Sequence, residues 1–188
     1  MLTALLRFGP LKDMADTNHT PQIFICYAHR DNESPDPEKR WLDRLREHLG
    51  PFEAQQDLDI WSDQEIEMGG TWDADIKATL QTAKAAVLLV SPSFLNSKYI
   101  RNSELPVLLQ RAKEQGVVIL PIILRPCALK NIIFKYPDPK TGPDELSLAS
   151  FQGANSLSTA LNSLPQEQQD KVLASVAKRL LRLVPAPP

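Results

Sequence analysis

The stretch "AAVLLVSPSFLNSKYIRNSEL" at residues 85–105 decides the fold. Its opening "AAVLLV" is apolar without interruption. A strand wetted on one face alternates apolar and polar residues, whereas an unbroken apolar run is a strand covered on both faces, as in a parallel sheet. Ser91 closes the run, and a polar segment leads into "ELPVLLQRAKEQG" (104–116). Proline is tolerated in a first helical turn, so Pro106 predicts a helix beginning near 103–106 and ending at Gly116. Glu104 then stands at the helix opening, 13 residues beyond Ser91. Position alone says little, because an acidic first-turn residue is stabilised by the helix dipole by ~0.3–1 kcal/mol and needs no further role.

Two further runs have the same character, "QIFICYA" (22–28) and "VVILPIIL" (117–124). "LDIW" (58–61) and the weaker "LSLASF" (146–151) complete five predicted strands. Helical stripes lie between them. "PEKRWLDRLREHLG" (37–50) aligns Trp41, Leu42, Leu45 and Leu49 and meets Gly50 as a stop signal. "TWDADIKATLQTA" (71–83) aligns Trp72, Ile76 and Leu80, with Thr71 as N-cap. "PQEQQDKVLASVAKRLLRL" (165–183) closes on Lys178, Arg179 and Arg182, which suit a helix C-terminus. Strand alternating with helix predicts a doubly wound α/β domain over 21–183. "KYPDPKTGPDE" (135–145) reads as a surface loop.

The chain has 188 residues, 43% hydrophobic and 23% charged, with net charge −2, the profile of a globular domain with no global attraction to nucleic acid or anionic membrane. Cys26 and Cys127, both in apolar runs, read as buried thiols of a reducing, cytoplasmic compartment. His19, His29 and His48 are scattered, so no metal site is expected. The start, "MLTALLRFGPLKDM", is too short and interrupted to span a membrane, and residues 1–20 read as a flexible segment in which Met14 is an alternative start. The Pro-rich end (184–188) reads as the start of a linker to a fused sensor or oligomerising domain.

Ligands of open parallel sheets bind beyond the carboxyl ends of the strands, where the strand order reverses. In a flavodoxin-like order, 2-1-3-4-5, that crevice lies between the first and third strands. The segments past those two strands, "YAHRDNESPDPE" and "SPSFLNSKYIRNSE", are both polar. No Gly-x-x-x-x-Gly-Lys-Ser/Thr phosphate loop occurs. A response-regulator receiver needs an Asp at the end of the third strand, where this chain has "VSPS".

Three motifs on this alternation resemble a Toll/interleukin-1 receptor (TIR) domain of the bacterial kind: "IFICYAHRD", "DIWSDQEIEMGGTWDADI" and "AAVLLVSPSFLNSKYIRNSEL". The likeness covers residues 22–125 well and continues loosely to the last helix. It implies a flavodoxin-like, five-stranded parallel sheet with helices on both faces. It also implies one of two uses. Some members are non-catalytic adaptors that assemble through homotypic contacts. Others cleave the nicotinamide–ribose bond of NAD⁺, by hydrolysis or cyclisation, often in anti-phage defence and often activated by self-association. NAD⁺ is then substrate, and no cofactor is expected.

In the enzymes the active carboxylate is the Glu of the third motif, which Glu104 matches. Tyr27, His29 and Arg30 follow the first strand and suit ribose or phosphate contacts; His29 and Arg30 read equally well as a solvated loop. Asp63 and Trp72 flank the loop after the second strand, and Trp72 suits ring stacking or core packing alike. Ser91 and Phe94 form the turn after the third strand, Phe94 with packing as its simpler role. Many enzymatic members carry an aromatic residue four positions before the catalytic Glu. Here Ile100 stands there with Tyr99 beside it, so either Tyr99 takes the stacking role or nicotinamide is held less tightly.

Overall fold

Strand β1, Ile23–Cys26, is buried at every residue. It lies between β2 (Ile60–Ser62) and β3 (Ala85–Val90), and β3 carries β4 (Val118–Ile123) on its far side. All three pairings are parallel: Ile23 is in register with both Ile60 and Ala85, and Ala85 with Val118. The order β2-β1-β3-β4 matches the expected 2-1-3-4. The computed structural model describes residues 22–55, 57–62, 72–137 and 144–183, the side chains of 72–75 and 77 excepted. The expectations for segments 1–20 and 184–188, for Asp63 and for the Thr71 cap lie outside those residues, as does the Trp72 side chain.

Helices α1 (Trp41–Ala54), α2 (Trp72–Thr82), the short α3 (Pro92–Asn96), α4 (Leu105–Gln115) and α5 (Gln166–Leu183) cover the sheet. Side chains of a strand alternate between faces, so each continuous apolar run feeds two cores. Phe24, Cys26, Ala86, Leu88 and Val90 pack with Ile76 and Leu80 of α2 and with Leu105, Leu108 and Leu109 of α4. Ile23, Ile25, Ala85, Val87 and Leu89 pack on the other face with Leu42, Leu45 and Leu49 of α1 and Leu173, Val176 and Leu180 of α5. Buried arginines tie neighbouring helices. Arg44 donates to Gln169 and Asp170 of α5, and Arg111 donates to the carbonyls of Leu80 and Ala83 at the end of α2.

Five expectations are corrected. The run 146–151 is not a fifth parallel strand: Leu146 ends β6 (Asp144–Leu146), which pairs antiparallel with β5 (Phe134–Tyr136), and Leu148–Ser150 is a 3₁₀ turn. The ends of the expected 135–145 loop therefore belong to a hairpin. Strand β4 cannot take a ladder on its outer edge, because Pro121 has no N–H to give there. The Pro121 carbonyl accepts instead from the Ala154 N–H at 2.8 Å, and the Asn155 amide pairs with both the N–H and the C=O of Ile123.

Helix α1 does not stop at Gly50 but runs through Pro51 to Ala54; Gly116, with φ of 72°, does cap α4 in the left-handed conformation. Cys127 lies past the end of β4, half-buried, in a loop rather than a strand. Finally, α4 does begin within 103–106, at Leu105, but Glu104 is not at a free helix opening: helical backbone from Lys98 passes through a π turn, Ile100–Glu104, into α4. Pro106 is the physical reason. In an α register its ring meets the carbonyl four residues back, and the wider turn relieves that clash. The Leu105 N–H accordingly reaches the Ile100 carbonyl, five residues back.

Candidate functional site

A cleft of 650 Å³ opens at the carboxyl ends of β1, β3 and β4. Four consecutive residues after β1, Tyr27 to Arg30, form one wall, and Pro92, Ser93, Asn96 and Ser97 form another. Tyr99, Ile100 and Glu104 enter from the helix, and Arg125 from just past β4. One π turn takes roughly four to five residues, so Tyr99 and Ile100 both stand one turn before Glu104. The displaced aromatic and the residue in its expected place thus share the cleft.

Glu104 is 3% exposed, yet lines the cleft. Because it lies inside a continuous helix, a free helix N-terminus does not account for its placement. Behind it the Cys26 thiol donates to Glu104 Oε2 at 2.7 Å. Strand alternation aims Cys26 at this face, and the π turn presents Glu104 to it. π turns recur at functional sites because they displace one side chain from the regular helical path.

Tyr27 is buried and its ring lies 5.3 Å from that of the exposed His29. Ser91 and Phe94 do not line the cleft; both are fully buried. The Ser91 hydroxyl accepts from the Phe94 N–H at 3.0 Å, capping α3, and donates to the Asp31 carboxylate, so the pair shapes the turn from below. Burial pushes the Asp31 carboxyl above its ordinary range; the Ser91 hydroxyl and the Arg125 and Arg30 charges offset part of that. Beyond Arg30 and Arg125 lies a second recess of 320 Å³, lined also by Asp31, Ser34, Lys39, Trp41 and Asn162.

The structure thus brings Glu104, Tyr27, His29, Arg30, Tyr99 and Ile100 together and leaves Ser91 and Phe94 in support. Sequence reasoning missed Asp31, Asn96 and Arg125. The signal for Arg125 was available: it follows the apolar run "PIIL", and a fourth strand beside the third ends at the same crevice.

The family model described as "TIR domain" matches residues 23–164. The chain belongs to the TIR family. The TIR domain is also 28% identical over 107 residues to a Sinorhizobium fredii protein described as "Uncharacterized protein y4lF". That match covers 57% of this chain and 31% of the relative, so the chain corresponds to about a third of that protein. TIR domains include NAD⁺-cleaving enzymes and adaptors, and they commonly self-associate. Among the described residues, no helix of this TIR domain is long and apolar enough to cross a membrane.

Proposed function

We propose that this TIR domain cleaves the nicotinamide–ribose bond of NAD⁺, with Glu104 as the catalytic carboxylate. The observation that carries the reading is the buried Glu104 carboxylate, held by Cys26 at the wall of a 650 Å³ cleft.

Nicotinamide in NAD⁺ is already cationic, so it leaves without a proton donor. The barrier is the oxocarbenium-like ribose left behind, which a fixed carboxylate stabilises, as carboxylates do in glycoside cleavage. A site with little water strengthens that attraction. Tyr99 offers a ring face for the pyridinium, Ile100 an apolar wall, and Tyr27 and His29 polar contacts for the ribose. Water completes hydrolysis; attack by an adenine nitrogen of the same molecule completes cyclisation. In this reading activity rises with self-association in a cytoplasmic bacterial defence protein, in keeping with the tendency of TIR domains to assemble.

The test is to incubate the purified chain with NAD⁺, separate nicotinamide and adenine-containing products by chromatography, and run Glu104→Ala and Glu104→Gln in parallel. Nicotinamide release by the wild type, lost in both variants with the fold intact, is the expected result. Equal release by Glu104→Gln overturns Glu104 as the catalytic group. No release by concentrated wild type leaves the non-catalytic adaptor. Release per molecule that is constant over a wide dilution removes activation by assembly.

A further inference from the structure

We infer that Arg30 and Arg125 form a two-guanidinium clamp for a phosphate or pyrophosphate group, so that ligands of this site carry one beyond the ribose they place at Glu104. Arg30 comes from the turn after β1 and Arg125 from the end of β4, and the sheet order brings both to one crevice. Each lines the Glu104 cleft and also the adjoining 320 Å³ recess, so the pair marks the boundary between the two.

Both side chains are exposed, and neither makes a hydrogen bond or ion pair with another described residue. Arg40 pairs with Asp43, and Arg44 with Asp170; Arg101 and Arg182, exposed like Arg30 and Arg125, line neither the cleft nor the recess. Asp31 lies within electrostatic reach of both Arg30 and Arg125. That carboxylate already receives the Ser91 hydroxyl, and burial works against its charge. Glu104 lines the cleft and not the recess, so on the recess side, where Asp31 is the one lining carboxylate among the described residues, the pair keeps net positive charge. Lys39 adds a third cation across the recess, partly committed to Asp36 at 3.0 Å. Guanidinium forks match phosphate oxygens bidentately, which an ammonium does not. A pyrophosphate, with two negative charges, suits two guanidiniums. The inference deepens the NAD⁺ reading by making the pyrophosphate a requirement, but the anion site itself does not depend on bond cleavage.

The experiment titrates ADP-ribose into the full chain by calorimetry, comparing wild type, Arg125→Ala, Arg125→Gln, Arg125→Lys and Arg30→Ala. Melting temperatures confirm that each variant is folded; the exposed position of Arg125 leaves the core untouched. The expected result is an ADP-ribose Kd raised about tenfold or more by either alanine, as loss of a charge-assisted contact implies, and only partly restored by lysine. Alongside, kcat/KM for NAD⁺ falls through KM in Arg125→Ala, whereas that for nicotinamide riboside, which lacks phosphate, does not change. ADP-ribose affinity unaltered in Arg125→Ala and Arg30→Ala overturns the clamp, whether or not NAD⁺ is cleaved. If wild type binds ADP-ribose through both arginines but releases no nicotinamide, the clamp stands and the cleavage reading fails.

Discussion

The Cys26 thiol donates to Glu104 Oε2 across 2.7 Å, joining the last residue of β1 to the last residue of the π turn. Both residues are buried, at 1% and 3% exposure, so water competes little for this bond. A carboxylate that must face a developing cation gains from having one oxygen fixed before the ligand arrives. Cys26→Ala removes a hydrogen bond from a weak S–H donor, ~0.5–1.5 kcal/mol. Nicotinamide release is expected to fall by roughly twofold to tenfold, while Cys26→Ser, which keeps a donor, recovers most of it. The S–H stretch of Cys26 in a Cys127→Ala background should shift on Glu104→Ala; a stationary band would disprove the contact.

Asp31 supplies a pH prediction. Its folded carboxyl lies above the ordinary 3.8, chiefly through burial, so the fold favours the protonated form. A raised carboxyl contributes stability that is fully present below the unfolded value and lost as pH rises through the folded one. Asp31→Asn keeps an acceptor for the Ser91 hydroxyl and carries no charge. The variant is therefore expected to melt higher than wild type near neutral pH. The gap should close as pH falls toward 3.8. Melting curves across that range check it, and a gap that widens in acid reverses the sign of the argument.

The reading of the sheet from sequence succeeded where burial dictates residue type. β1, β3 and β4 must be apolar throughout because both faces are covered, and no other element of this length reads that way. The cleft was placed correctly because strand ends in a known order fix it. The π turn was not legible. Pro106 does lie in the first turn of α4, and nothing in the local sequence shows that a widened turn precedes it. The Cys26–Glu104 bond spans 78 residues, and the convergence of Arg30 with Arg125 spans most of the domain, so neither has a local signature. The fifth strand failed for a reason present in the sequence: Pro121 in "VVILPIIL" marks an edge strand.

Arg111 is structural. Its guanidinium is buried and donates to the carbonyls of Leu80 at 2.5 Å and Ala83 at 2.7 Å, capping the end of α2 from α4. Arg111→Ala leaves those acceptors without their charged donor. A stability loss of roughly 1.5–3 kcal/mol is expected, read as a lower denaturant midpoint with unchanged slope. Ligand affinity at the cleft should hold in the folded fraction, because Arg111 does not line it. A midpoint equal to wild type would show the capping bonds to be energetically neutral.

Asn155 closes the open edge of β4. Its amide accepts from the Ile123 N–H at 2.9 Å and donates to the Ile123 and Thr159 carbonyls at 3.0 and 2.8 Å, copying what a neighbouring strand would supply. Unpaired edge groups are templates for association, so this side chain serves both stability and solubility. Asn155→Ala is expected to cost roughly 1–3 kcal/mol for the polar groups left unsatisfied and to increase aggregation during heating. Asn155→Asp should be no better at neutral pH, because a carboxylate then faces two carbonyl oxygens. Gly153 is part of the same closure: a Cβ there would sit 2.9 Å from the Asn155 carbonyl oxygen and 3.3 Å from that of Pro121, so Gly153→Ala must push the segment off the strand. Differential scanning calorimetry with light scattering tests all three variants. Wild-type melting and solubility in each would mean that the edge is protected by something other than this segment.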